Sequence, residues 1–230
     1  MTQIFKTNTS KIIKQSGSKY KISLDDGEKY TNYFASLKKN FKLSKSDKTS
    51  FVFEAKNIET LNSLLTRKYA LSYRHLKQLF TNIAKQLENL EKDKFCNFLF
   101  NLKDIVRIEL DSGSQDGGTG GDVFFLYLNT EHFLPIKLNK MKIIKPFNKK
   151  NMFFSPEIKN ITQLPTEIST KSQFFSLSLL TLYCCTKFDK LDYNKNSFEQ
   201  HLSHIENTKL YWAILRCLEN NPTDRIYLYI

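Results

Sequence analysis

With 230 residues, 40% of them hydrophobic and 13% aromatic, the chain carries enough apolar material for one sizeable core and lies far from disordered compositions. A formal charge of +12 raises polyanion binding as a function. The lysines are nevertheless spread along nearly the whole sequence, and no run approaches the roughly 18 apolar residues that a membrane span needs. Four cysteines with no C-x-x-C pair and no zinc-like histidine spacing read as buried, reduced thiols. With no long apolar leader at Met1–Lys6, the expectation is a cytoplasmic protein without membrane contact.

Residues 1–54 read as β-rich with one short helix. Lys19-Tyr20-Lys21-Ile22-Ser23-Leu24 alternates as a strand and runs into an Asp25-Asp26-Gly27 turn. Tyr30, Phe34 and Leu37 recur at helical spacing, and Phe51–Glu54 is a compact strand after a polar turn from Ser44 to Ser50. Beyond residue 54 the texture turns helical. Asn57 is the candidate cap of a short helix through Leu61. Leu76, Leu79, Phe80, Ile83, Leu87 and Leu90 then mark one face of a long helix from about Ser72 to Lys92.

Two strands follow, Lys103–Leu110 and Val123–Leu128. Their connector, 111–122, holds five of the seven glycines and reads as a flexible hairpin insert, because it lacks the Lys-Ser/Thr of a phosphate loop and opens no helix. Lys171–Thr186 is apolar nearly all round and should be a buried axis. Helices near Ser197–Glu206 and Thr208–Glu219 close the chain, the second stopping before Pro222. Strands and helices do not alternate, so the fold class is α+β and not a parallel βαβ array.

Six lysines between Lys137 and Lys150, with no acid among them, form the one concentrated basic stretch. A solvated loop is the first expectation there, and a nucleic-acid-binding patch the second. His201 and His204 stand three apart without a visible third ligand, and His75 lies alone on the long helix, so no metal site is expected.

Three stretches then stand out together. Phe154-Ser155-Pro156-Glu157 resembles the Ala-Pro-Glu motif of protein kinases. Ser172-Gln173-Phe174-Phe175-Ser176-Leu177-Ser178 resembles the start of their buried central helix, and Asn221-Pro222-Thr223-Asp224-Arg225 resembles the Asn-Pro-x-x-Arg of their penultimate segment. The chain is thus similar to a protein-kinase-like domain, over about residues 55–230 and with a flavour of the kinase-like proteins of large DNA viruses. The resemblance implies a bilobal fold, with a reduced N-lobe in 1–54 and a mainly helical C-lobe in 55–230. It also implies a structural ion pair between Glu157 and Arg225.

The catalytic parts of that family are missing. No G-x-G-x-x-G precedes residue 55; Asn97, Phe98 and Leu99 stand in the His-Arg-Asp slots; and Asn129 or Glu131 stands where Asp-Phe-Gly should supply an aspartate. Gln173 replaces the aspartate that braces the catalytic loop in kinases. Lys21, with Glu28 as partner, Asp104 and Asn129 are the residues left to contact nucleotide or Mg²⁺, and no catalytic residue is assigned. The expected function is a catalytically inactive kinase-like module that binds or regulates a protein partner in the cytoplasm, in a host cell or a virion. The basic, aromatic stretch Phe147–Phe154 is its first candidate surface. An atypical ATP- and Mg²⁺-dependent protein kinase is the second reading, and a basic nucleic-acid-binding protein the third.

Overall fold

A computed structural model describes residues 1–111 and 122–230. The glycine-rich stretch 112–121, read above as a hairpin insert, lies outside the described residues. The class is α+β, built on antiparallel sheets.

The N-terminal layer is a five-stranded antiparallel sheet of β1 (Thr2–Lys6), β2 (Ser10–Ser16), β3 (Lys19–Leu24), β4 (Leu43–Ser46) and β5 (Ser50–Glu54), in the order β1-β2-β3-β5-β4. Helix α1 (Thr31–Lys38) leaves β3 and packs Tyr33, Phe34 and Leu37 inward. The expectation of a reduced sheet is corrected here. Five strands fit because the turns are tight: Thr7–Thr9 joins β1 to β2, and Gly17, at φ +52°, lets Gly17-Ser18 join β2 to β3. β1 and β2 escaped sequence reading because neither alternates cleanly; β1 is exposed at all positions but Phe5.

β6 (Asn57–Thr60) pairs with β8 (Ile105–Glu109), Ile58 opposite Ile108, so the expected helix beginning at Asn57 is corrected to a strand. Helix α2 (Leu61–Arg67) starts only after it, and the Thr60 hydroxyl accepts the Ser63 N–H as its cap at 3.1 Å. Sheet pairing outweighs a local preference that only four residues could express.

Helix α3 (Tyr73–Lys92) buries the predicted apolar stripe. Ser72 stands at its N-cap, but its hydroxyl meets His75 Nδ1 at 3.1 Å instead of a backbone N–H. β9 (Val123–Tyr127) pairs with β8, and its outer edge is closed by side chains of α3. Asn82 Oδ1 accepts Phe125 N–H, Gln86 Oε1 accepts Tyr127 N–H, and Gln86 Nε2 donates to Phe125 O, each at 2.9 Å. A strand edge that would otherwise lie buried and unpaired is thereby satisfied.

A further sheet, in the order β12-β11-β10-β7, comprises β7 (Phe95–Asn97), β10 (Phe133–Lys137), β11 (Lys140–Ile143) and β12 (Thr166–Ser169). Helix α4 (Pro156–Lys159) precedes β12. Helix α5 (Ser172–Cys185) is buried at every position but Tyr183, as its all-round apolarity predicts, and packs on α3 and α7 (Lys209–Cys217). α6 (Lys195–His201) completes the helical layer. The main core runs from Phe5 to Leu218 and crosses residue 54 without a break, and a second, smaller cluster gathers Phe98, Met141, Ile143, Phe154, Ile158 and Ile168. Among the described residues no helix is long and apolar enough to cross a membrane.

Candidate functional site

Two polar constellations lie within this frame, and the first joins residues 68 apart. Pro156 opens α4 with its ring at the first helical turn, where a missing N–H costs nothing, and Glu157 follows it. Arg225 follows a 3₁₀ turn, Pro222–Asp224, whose first free N–H, that of Thr223, is accepted by Asn221 Oδ1 at 3.2 Å. The guanidinium meets the carboxylate in a two-pronged fork, Nη1 to Oε1 at 2.5 Å and Nη2 to Oε2 at 2.8 Å.

Arg225 is 2% exposed, and each of its nitrogens has an acceptor. Nε donates to Glu219 O at 2.7 Å and Nη2 also to Asn220 O at 3.0 Å, both carbonyls just beyond the end of α7. The cation also lies 4.6 Å from the Phe175 ring centroid. Ser172, at the start of α5, donates its hydroxyl to Glu157. Burial pushes the Glu157 carboxyl upward, but the hydrogen bonds from Arg225 and Ser172 and the guanidinium charge outweigh it and hold it below the usual range. The pair ties α4, α5 and the segment after α7 into one unit.

Asp104 and Asn129 form the second constellation. Both are buried, Asp104 in the turn before β8 and Asn129 just after β9, so hairpin register sets their distance. Asp104 Oδ2 accepts the amides of Asn129 at 3.1 Å and Asn101 at 3.2 Å, and His132 Nε2 lies 4.0 Å away. Burial lowers the His132 pKa, with Asp104 and Glu131 opposing.

The turn between β1 and β2 closes over this group. Ser10 donates to Leu128 O, Thr9 Oγ1 accepts Thr130 N–H at 3.0 Å and meets Asn129 Oδ1 at 3.4 Å, and Asn8 Nδ2 donates to Glu131 at 3.1 Å. The turn therefore sits directly on residues 128–131. Among the described residues no three His, Cys, Asp or Glu side chains group to hold a metal ion.

Lys21 is not brought to this place. Alternation along β3 turns Tyr20, Ile22 and Leu24 inward, which leaves Lys21 on the outer face beside Lys11, Gln15 and Asp25. Glu28, its expected partner, instead pairs with Lys48 at 3.5 Å on the surface. The expected Lys21–Asp104–Asn129 grouping is therefore corrected to Asp104–Asn129 alone. The basic, aromatic surface at Phe147–Phe154 is corrected too: Phe153 and Phe154 are buried, and Phe147 packs edge-on against Phe98 and Phe154. The six lysines from Lys137 to Lys150 are all exposed, and Lys140 pairs with Glu167 at 3.7 Å.

Gln173 performs a bracing role with an amide. Its Oε1 accepts Asn97 N–H at 3.0 Å while its Nε2 donates to Glu91 at 2.6 Å, linking α5 to β7 and α3. Burial raises the Glu91 pKa, an effect that the Gln173 bond counters. The cysteines are free and buried, and burial pushes the Cys96 thiol up to about 12. Sequence reading missed Asn101 and His132, which only hairpin register gathers round Asp104, and the Asn8–Ser10 turn, whose partners lie about 120 positions away. Comparison with protein-family models and with curated proteins finds no match for the chain.

Proposed function

We propose that the chain is a protein-kinase-like module that has given up phosphotransfer and acts by binding or regulating another protein. The order of elements supports the fold half of this reading. A five-stranded sheet in the order β1-β2-β3-β5-β4, with a helix after β3, leads through β6 to a long amphipathic helix, a β-hairpin, the Glu157–Arg225 clasp and a buried central helix. The long helix, the clasp and the buried central helix follow one another in the order that the motif resemblance implies. The four free thiols support an intracellular setting, and kinship with kinase-like proteins of large DNA viruses belongs to the same proposal.

One observation carries the inactive half. Phosphoryl transfer needs carboxylates holding Mg²⁺ and a loop that covers the phosphates without occupying their place. Here the Asn129 amide donates to the Asp104 carboxylate at 3.1 Å, so a neutral donor stands where a cation would have to be held. The β1–β2 turn is hydrogen-bonded onto residues 128–131, which closes the space above them. Among the described residues the side-chain partners of Asp104 are Asn101, Asn129 and His132, none of them a lysine.

The test is thermal denaturation with millimolar Mg-ATP, run on the native protein and on Asp104→Asn. A ligand at about 100 times its Kd stabilises by about 2.7 kcal/mol, well within detection. The expected result is no shift that depends on Asp104, together with no transfer of labelled phosphate to a generic protein substrate. A saturable shift abolished by Asp104→Asn, or measurable transfer, overturns the proposal.

A further inference from the structure

A cleft of about 810 Å³ opens between α1, the C-terminal half of α3 and residues 227–230. Its volume falls within the roughly 300–1,000 Å³ of small-molecule sites. Neither Asp104 nor Asn129 lines it, so it is separate from the constellation described above.

Every charged side chain among its lining residues is a lysine: Lys38 and Lys39 from α1 and its end, Lys85 and Lys92 from α3. Two acids touch the lining from outside: Glu88, which meets Lys85 at 3.0 Å, and Asp93, which accepts the Asn32 amide at 2.7 Å. Lys38 and Lys92 have only neutral partners, Ser46 Oγ at 3.2 Å and Asn89 Oδ1 at 3.0 Å, and Lys39 makes no ion pair among the described residues. Two helices from distant parts of the sequence thus bring four lysines to the lining of one hollow, with the carboxylates of Glu88 and Asp93 and that of the terminal residue Ile230 beside it. A lining whose charged side chains are all cationic attracts an anion of several charges.

The rim carries a second feature. Tyr229 is 77% exposed, although its ring edge rests on Tyr227 at a centroid distance of 5.0 Å. An aromatic held against a neighbour and open to solvent on the border of a cationic hollow is a stacking surface for a planar ring.

We propose that this cleft binds an oligophosphate, either free or as the phosphate chain of a nucleotide. This inference stands apart from the kinase-like reading and needs no catalytic group. The test is isothermal titration of the full chain, at low salt and without Mg²⁺, with inorganic tripolyphosphate and with ATP. The expected result is one site per chain, weakened by added salt, with affinity reduced roughly tenfold in Lys39→Ala/Lys92→Ala. Lys142→Ala/Lys145→Ala, which removes two lysines of the basic 137–150 stretch, leaves it unchanged.

Tighter binding of ATP than of tripolyphosphate, with the difference lost in Tyr229→Ala, identifies the source as a nucleotide. Equal affinities identify the free oligophosphate. Absence of saturable binding at millimolar tripolyphosphate, or equal weakening in the two double-lysine variants, overturns the proposal. Circular dichroism confirms that each variant is folded.

Discussion

Replacing Glu157 with glutamine tests the clasp with the least change in shape. The substitution turns one oxygen of the fork into an NH₂ that faces guanidinium N–H groups, donor against donor, while Arg225 stays buried and charged. Deleting one partner of a buried pair costs roughly 3–5 kcal/mol. Two features move this case to the lower end: the Glu157 side chain is 20% exposed, and Arg225 keeps two carbonyl acceptors and the face of Phe175.

The expected loss is therefore about 3 kcal/mol. At roughly 2–4 °C per kcal/mol for a chain of this size, Tm falls by about 6–12 °C. Differential scanning calorimetry and urea titration read the two quantities independently. The double variant Glu157→Gln/Arg225→Met should lose much less than the sum of the single losses, because methionine fills the site without leaving a charge there.

The pH dependence has a definite sign. The folded Glu157 carboxyl titrates below its usual 4.5. The clasp thus contributes fully above that value, and its contribution disappears as the pH falls through the folded pKa. The stability gap between the native chain and Glu157→Gln should narrow over that acid window. A loss below about 1 kcal/mol for Glu157→Gln, additive single losses, or a gap independent of acid would refute the reasoning.

Two further substitutions probe the joints between layers. Asp93→Ala should cost about 1–2 kcal/mol and speed hydrogen exchange in α1. Its carboxylate accepts the N–H groups of Asn32 at 3.0 Å and Tyr33 at 2.8 Å at the start of a helix with no cap of its own, and unchanged exchange rates in α1 would count against this. Gln173→Leu should cost about 2–3 kcal/mol, since it strands the buried Asn97 N–H and removes the donor from Glu91. Stability equal to that of the native chain in urea titration would show that water or another group replaces the amide.

The helical core was legible because its residues state their environment locally. The stripe from Leu76 to Leu90 and the all-round apolarity of 171–186 leave burial as the one reasonable outcome, and α3 and α5 lie within a residue or two of the predicted spans. Glu157 beside Phe153, Phe154 and Pro156 demanded a partner, and the resemblance to protein kinases implied Arg225. The small strands were less legible. β7, β10, β11 and β12 are three to five residues long, and Leu134–Pro135–Ile136 carries no period that separates strand from loop. Asn57 misled because a cap preference can be expressed by four residues, whereas strand pairing with Ile108 cannot be seen from them.

The sequence alone determined which segments must be buried, that the class is α+β, and that Glu157 needed a partner, since burial and charge compensation are demands each residue carries with it; the choice of Arg225 was what the motif resemblance implied. Only tertiary structure decided that Lys21 faces away from Asp104, that Asn129 donates to that carboxylate, that the Asn8–Ser10 turn seats on residues 128–131, and that four lysines share one cleft. Those outcomes depend on strand register and helix placement, where a shift of one residue turns a side chain to the opposite face, and no local composition encodes that choice.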